Sequence, residues 1–363
     1  MIKKIHKILL VAIIIIVSVL NFNTAFANEN VVIPENDEGM QEMFNPGEMI
    51  QHHITDAPDW HIVSINGHHY SIPLPVILYS SAKGLEVFSS SNFHNPTETY
   101  NGYKLVHNHI EAVDASGAID HNANFHNISI TKNVASMFIS AALLIVIFLS
   151  IAGAYKKRQG QAPSGMQSFF EPIILYIRDD VAKTMIGKKY ERFMPYLLTV
   201  FFFIWFNNLL GLIPAGANVS GNITFTLFLA LGTFLVTTIY ANKEYWMHVL
   251  WTPGVPLPLR IIILPLEVIG MFTKPFSLMI RLFANITAGH IIVLSFLGLV
   301  FIFKTIAVAA FGVPFALFIS ILELFVALLQ AYVFTLLTAL YFGSAVAEHE
   351  HHDEHEHEHE HSH

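Results

Sequence analysis

An arginine and a glutamate stand far inside stretches of sequence that carry almost no other charge. Between Phe193 and Ala347 the basic residues are Lys243, Arg260, Lys274, Arg281 and Lys304, and the acids are Glu244, Glu267 and Glu323. Several lie near the ends of apolar runs, where a long side chain can carry its charge out to water. Arg281 and Glu323 have long apolar sequence on both sides. An arginine at the centre of a membrane helix costs about 2.5 to 3.5 kcal/mol on insertion scales, so its presence there points to an ion pathway or a counter-charge.

A guanidinium does not lose its proton at neutral pH and can serve only as a fixed positive charge, whereas imidazole and carboxylate groups can exchange protons. Residues seven apart on a helix return to nearly the same face. That geometry places Lys274, Arg281 and Asn285 on one stripe, with Gly289 extending it. Nine residues beyond Arg281, a rotation of about 100° per residue carries His290 to the opposite side. In the following apolar segment Glu323, Gln330 and Tyr341 also align. A permanent cation, an imidazole, a carboxylate, an amide and a phenol are the parts a proton path needs. They are also the parts of a structural His290–Glu323 ion pair joining two helices, and spacing alone leaves both readings open.

These residues need membrane helices to position them. The chain has 363 residues, of which 53% are hydrophobic and 13% charged, against roughly 25% charged in an average soluble domain. The formal charge of -8 comes almost wholly from the six Glu and one Asp of residues 348–363, and no basic patch suggests nucleic acid. The absence of cysteine excludes disulfides, thiol catalysis and Cys-ligated metal.

Residues 1–27 join a Lys-rich start to a short apolar run and Ala25-Phe26-Ala27, the pattern of a cleaved secretory signal. Residues 28–130 are polar and carry short alternating stretches, HIVSING, HYSIPLPVILYSS and YKLVHNHIEAV, that read as strands of a small β-rich extracytoplasmic domain. The pairs His52–His53, His68–His69 and His107–His109 invite a metal reading, but surface histidines account for them and no metal site is expected. Residues 131–347 form the membrane domain. Spans are expected at 134–155, 194–213 and 222–241, then within the apolar stretches 261–312 and 314–347, which makes five crossings. The turn between the second and third is marked by Pro214-Ala215-Gly216.

Lys156, Lys157 and Arg158 mark the cytoplasmic side of the first span. Residues 167–192 mix charge with apolar positions and suit an amphipathic helix on the cytoplasmic face. The stretch 261–312 is too long for one perpendicular crossing and must tilt, bend or break. Residues 348–363 alternate Glu and His and are expected to be disordered. The expected fold is an all-α polytopic membrane core with long tilted helices, plus the small β-rich domain.

The run PLEVIGMFTKPFSLMIRLFANITAGH, followed about forty residues later by LLQAYVFTLLTALY, resembles the two signature helices of the subunit a family of F-type ATP synthases. FFFIWFNNLLGLIP and TFTLFLAL resemble the preceding hairpin, so the resemblance covers about residues 165–347. It implies that Arg281 opposes the carboxylates of a rotating c-ring. It implies roles beside it for Asn285, His290, Glu323 and Gln330, and supporting positions for Glu267, Lys274, Ser277 and Tyr341.

Some relatives carry an acid at the position of Gly211. Asn207 and Asn208 are expected to supply polarity there instead. The implied partners are the c-ring, peripheral-stalk b subunits and membrane lipid, in a bacterial inner membrane with the mature N-terminus outside and the C-terminus cytoplasmic. The implied activity is proton translocation without bond chemistry or cofactor, consistent with the lack of a GxxxxGK[ST] phosphate loop. A self-contained transporter would need internal repeats, and none is visible; a plain membrane anchor leaves the polar stripes unexplained.

Overall fold

The computed structural model describes residues 47, 50, 51, 54–65, 68–81, 83–93, 99–106, 108–114, 116–120, 122–213, 216–251 and 256–347. The expected signal and the His/Glu tail lie outside these residues, as do His52, His53, His107, Pro214 and Ala215. The longer helices are α1 (Lys132–Lys157), α2 (Met166–Tyr176), α3 (Tyr190–Gly211), α4 (Ile223–Tyr240), α5 (Lys243–Leu250), α6 (Leu257–Phe303) and α7 (Ile306–Val346). Five helical segments among the described residues are long and apolar enough to cross a membrane, and the chain is a multi-pass membrane protein.

Local chemistry sets the helix ends. Thr131 caps α1, and Lys156 and Lys157 occupy its last turn, where positive charge complements the helix dipole. Asn222 caps α4 by accepting from the Thr224 and Phe225 N–H groups at 2.9 and 3.4 Å. The segment expected as one amphipathic helix runs from α2 through a π-helical stretch, Ile177–Lys183, and a short turn, Thr184–Ile186. It stops at Gly187, whose φ of 73° is open to a residue without Cβ.

The boundary between the last two helices differs from expectation. It lies at Lys304–Thr305 rather than near Gly312, and Pro314 falls inside α7. Lys304 takes the left-handed conformation, φ 47°, and its N–H closes the last turn on the Val300 carbonyl. Pro314 is tolerated because a membrane helix can satisfy the freed carbonyl locally. The 47 residues of α6 are unbroken. At about 1.5 Å per residue it is about 70 Å long, more than twice a bilayer core, so it must run obliquely.

Phenylalanine fills the bundle. Phe202 meets Phe148 and Phe170 edge-on at 4.8 and 5.6 Å, and Phe193 stacks on Phe342 at 4.7 Å. Lipid is as apolar as these side chains, so close packing has to hold the helices together. Thr233 adds a polar tie, 3.1 Å from the Tyr196 hydroxyl and 3.5 Å from that of Thr338. At the C-terminal end of α7, Asn242 donates from its backbone to the Ala345 carbonyl and from its side chain to that of Ala347.

The β-rich expectation for the N-terminal region matches the described strands. β1 (Asp59–Ile65) pairs with β2 (His68–Pro73), β3 (Pro75–Ser80) with β4 (Gly84–Ser89), and β5 (Thr99–Tyr100), β6 (Tyr103–Val106) and β7 (His109–Ala112) form a meander. β8 (Phe125–Asn127) joins the far side of β3. Val76 and Leu78 project from alternate positions of β3 onto Tyr103, Ile110 and Ala112, giving this domain its own core. Asn101-Gly102, both with positive φ, close the β5–β6 hairpin.

The α7 helix passes so near the Thr184–Ile186 turn that a Cβ on Gly343 would collide with the Met185 carbonyl oxygen. Gly343→Ala is therefore expected to destabilise the protein by about 1 to 3 kcal/mol, read as a lower unfolding midpoint in detergent. An unchanged midpoint would contradict this contact.

Candidate functional site

The α6 and α7 helices pack side by side, and three polar contacts cross between them. Nearest the end away from the strand domain, the Lys274 ammonium lies 5.8 Å from the centre of the Tyr341 ring. Further along, Asn285 Nδ2 donates to Gln330 Oε1 at 2.9 Å, and Gln330 is 1% exposed. Toward the strand domain, His290 Nε2 is 3.6 Å from Glu323 Oε1. Gly289 makes that approach possible, because a Cβ there would stand 2.8 Å from the same oxygen.

Gly289 and His290 are neighbours about 100° apart on α6, and both meet Glu323. The sequence geometry described where side chains leave the helix, not where they end.

The end of α3 closes this cluster. A Cβ on Gly211 would be 4.0 Å from His290 Nε2 and 3.9 Å from the Asn218 Cα. Beside it, Asn208 donates to the Ala327 carbonyl of α7 at 3.2 Å and accepts from the Ser220 hydroxyl at 2.6 Å. Asn207 turns back to its own helix, donating to the Phe203 carbonyl at 2.8 Å. Several buried polar atoms here make no hydrogen bond within the chain: Asn207 Oδ1, Asn218 Nδ2, Thr287 Oγ1, Glu323 Oε1 and Gln330 Nε2. Buried polar groups of this kind are ordinarily satisfied by water.

Arg281 makes no close contact among the described residues, though its charge reaches Tyr341. It occupies the middle of α6 and is exposed. Among the described residues its guanidinium makes no hydrogen bond, ion pair or ring contact. Ser277 is also exposed on α6, and Glu267 is half-buried near α5, where burial first and the Glu267 carboxylate second push the Tyr245 phenol up. A cavity on that side is lined by Thr237, Tyr245, Lys274, Tyr341 and Ser344. Polar groups thus gather on both sides of Arg281 along α6: Lys274 meets Tyr341, Asn285 meets Gln330, His290 meets Glu323 and Asn208 reaches the α7 backbone, whereas Asn207 bonds its own helix, Glu267 lies near Tyr245, and Ser277 and Arg281 are exposed.

Asn218, Ser220 and Thr287 were not among the expected site residues. Their only signal is polarity within an apolar neighbourhood, and Asn218 and Ser220 belong to the polar run Asn218-Val219-Ser220-Gly221-Asn222.

Residues 134–343 match the family described as ATP synthase A chain, and residues 49–133 match a domain of unknown function (DUF8433). The chain is similar to ATP synthase subunit a of Chloroherpeton thalassium, 51% identical over 230 residues that cover 62% of this chain and 68% of that protein. It is similar to ATP synthase subunit a 2 of Chlorobaculum tepidum, 53% identical over 232 residues, 62% of this chain and 65% of the other. Similarity to ATP synthase subunit a of Anaeromyxobacter sp. extends over 259 residues at 42% identity, 66% of this chain and 62% of that one.

The Asn285–Gln330 bond should show as a coupling of about 0.6 to 1.7 kcal/mol between Asn285→Ala and Gln330→Ala. A double-mutant cycle on unfolding in mixed micelles measures it, and a coupling of zero would contradict the pairing.

Proposed function

The chain belongs to the ATP synthase A chain family, and from that premise we propose that it is the stationary proton-conducting subunit that faces a rotating ring of carboxylate-bearing c subunits. The observation that carries this reading is the exposed Arg281 at the middle of α6, without a counter-ion among the described residues. A permanent cation held in an apolar layer is stabilised by an opposing negative charge, and a carboxylate on a partner provides one.

Two half-channels reach the ring from opposite sides. One passes Asn207 and Asn208 to His290 and Glu323, and the buried polar atoms without partners support its hydration. The other passes the cavity at Lys274, Tyr341 and Ser344. Glu267 and Ser277 stand on the same helix as supporting polar positions. Asn285 and Gln330 hold α6 and α7 together beside Arg281.

A proton arriving through the first path neutralises a ring carboxylate, which can then enter lipid. After nearly a full turn the carboxyl meets the second path and loses its proton. Arg281 then draws the carboxylate in and blocks direct leakage between the paths. The membrane potential supplies about 2.3 kcal/mol per charge per 100 mV.

Charge supports an orientation. Lys156, Lys157 and Arg158 lie at the end of α1 remote from the strand domain, and Lys243 follows α4 at that same end. The excess of basic residues supports a cytoplasmic position for that end and an outer position for the strand domain. The α2 segment lies at the cytoplasmic face, and peripheral-stalk b subunits and lipid complete the surroundings. No bond is made or broken by this chain; the nucleotide chemistry belongs to partner subunits.

Arg281→Ala should lower ATP-driven proton pumping by the whole complex by at least roughly a hundredfold, with assembly intact. Vesicle acidification measures it, and pumping at the native rate would contradict the proposal.

A further inference from the structure

The strand domain and the membrane helices meet at a carboxylate. Asp56 Oδ1 accepts from the backbone N–H groups of Ala57 and Asn133 at 3.0 and 3.1 Å, and Oδ2 accepts from the Thr131 hydroxyl at 2.7 Å. Asp56 thus sits on the first turn of α1, where N–H groups lack partners within the helix. Burial pushes its carboxyl above the usual range, against the lowering effects of Thr131, the Asn133 N–H, Lys132 and the Ala57 N–H. Its charged neighbour is Lys132 on α1, which in turn feels Asp59 at the start of β1. Asp56 nevertheless keeps some accessible surface.

A cavity of about 10 Å³ adjoins it, walled by Asp56 and Asn133 on one side and by Val219, Asn222 and Thr224 on the other. That is about the room one water molecule needs. Asn133 is only 5% exposed, and its Oδ1 makes no hydrogen bond within the chain. Polar side chains recur at alternate positions from Asn222 through Ser220 to Asn218, with Gly221 and Val219 between them. Ser220 donates to Asn208, and Asn218 adjoins Gly211, which adjoins His290.

We propose that the strand domain forms the mouth of the outer half-channel, where water in the cavity beside Asp56 passes protons inward along the Asn222–Asn218 turn and Asn208 to His290 and Glu323. This deepens the proton-conducting reading and rests on it. A hydronium ion at the outer surface gives its proton to the Asp56 carboxylate, one O–H bond forming as another breaks. The carboxylic acid then passes the proton to the cavity water and is left ionised, and no electrons are exchanged. The asparagines hold water in line and do not titrate.

The test is ATP synthesis by the whole complex in liposomes, at constant total driving force, while the pH at the outer face is varied from about 6 to about 9. Asp56→Asn keeps an acceptor for Ala57 and Asn133 and removes the proton site. Its rate should be near native at the acid end, where hydronium is plentiful, and at least about tenfold lower at the alkaline end.

Asn133→Leu fills the cavity with apolar atoms and should give the same pH-dependent loss. It decides the matter alone if Asp56→Asn fails to assemble. Native rates at every pH, or a loss that is equal at every pH, would overturn the proposal. Arg281→Ala separates the two levels: its native synthesis would defeat the proton-conducting reading itself. Its loss alongside native rates in Asp56→Asn and Asn133→Leu would defeat only the mouth.

Discussion

Within hydrocarbon each polar group must find a partner in the protein or a water molecule, and the cost of failing is several kcal/mol. This requirement arranges the membrane half of the chain. Backbone groups are satisfied inside helices, and most polar side chains are turned toward other helices: Asn285 to Gln330, His290 to Glu323, Asn208 to Ala327 and Ser220. Arg281 is the departure from that order, since its charge is turned outward from the middle of α6. The α6–α7 pair therefore reads as half of an interface.

Close approach is what allows the polar contacts to form. Gly289 admits the Glu323 carboxylate, Gly211 leaves room beside His290, and Gly343 lets α7 lie on the Thr184–Ile186 turn. The Phe193, Phe202, Phe334 and Phe342 side chains, all almost fully buried, hold these spacings through contact area rather than through expulsion of water. The strand domain has a separate core around Val76, Leu78 and Tyr103, and it joins the helices where Asp56 meets the start of α1.

Much of this was legible in the sequence, because a membrane makes hydropathy and isolated charge expensive to ignore. The five apolar segments and the hairpin of α3 and α4 follow from cost alone, and the same cost singles out Arg281 and Glu323 as charges that need an explanation. The turn at Lys304 did not, since apolar sequence lies on both sides and Pro314 is the stronger local signal. The His290–Glu323 pair was one of two readings the sequence left open, but the fit of Gly289 against the same carboxylate was not visible there, since it depends on how α7 packs. Asn218 and Ser220 were hidden for a similar reason: the value of a buried polar residue lies in its partner. In the strand domain the longer alternating runs were visible, whereas β8 is three residues long and is defined by its pairing with β3.

The central claim is that the Arg281 face of α6 is covered by a carboxylate-bearing partner. The chain contains no cysteine, so Ala284→Cys, exposed on that face, introduces a unique thiol. It would be paired with a cysteine placed one turn from the carboxylate of the ring subunit, and the assembled complex would be oxidised. The account predicts a disulfide between the two subunits that stops ATP-driven pumping until it is reduced. A thiol that forms no cross-link with any ring position at carboxylate depth, in a complex that pumps at the native rate, would contradict it.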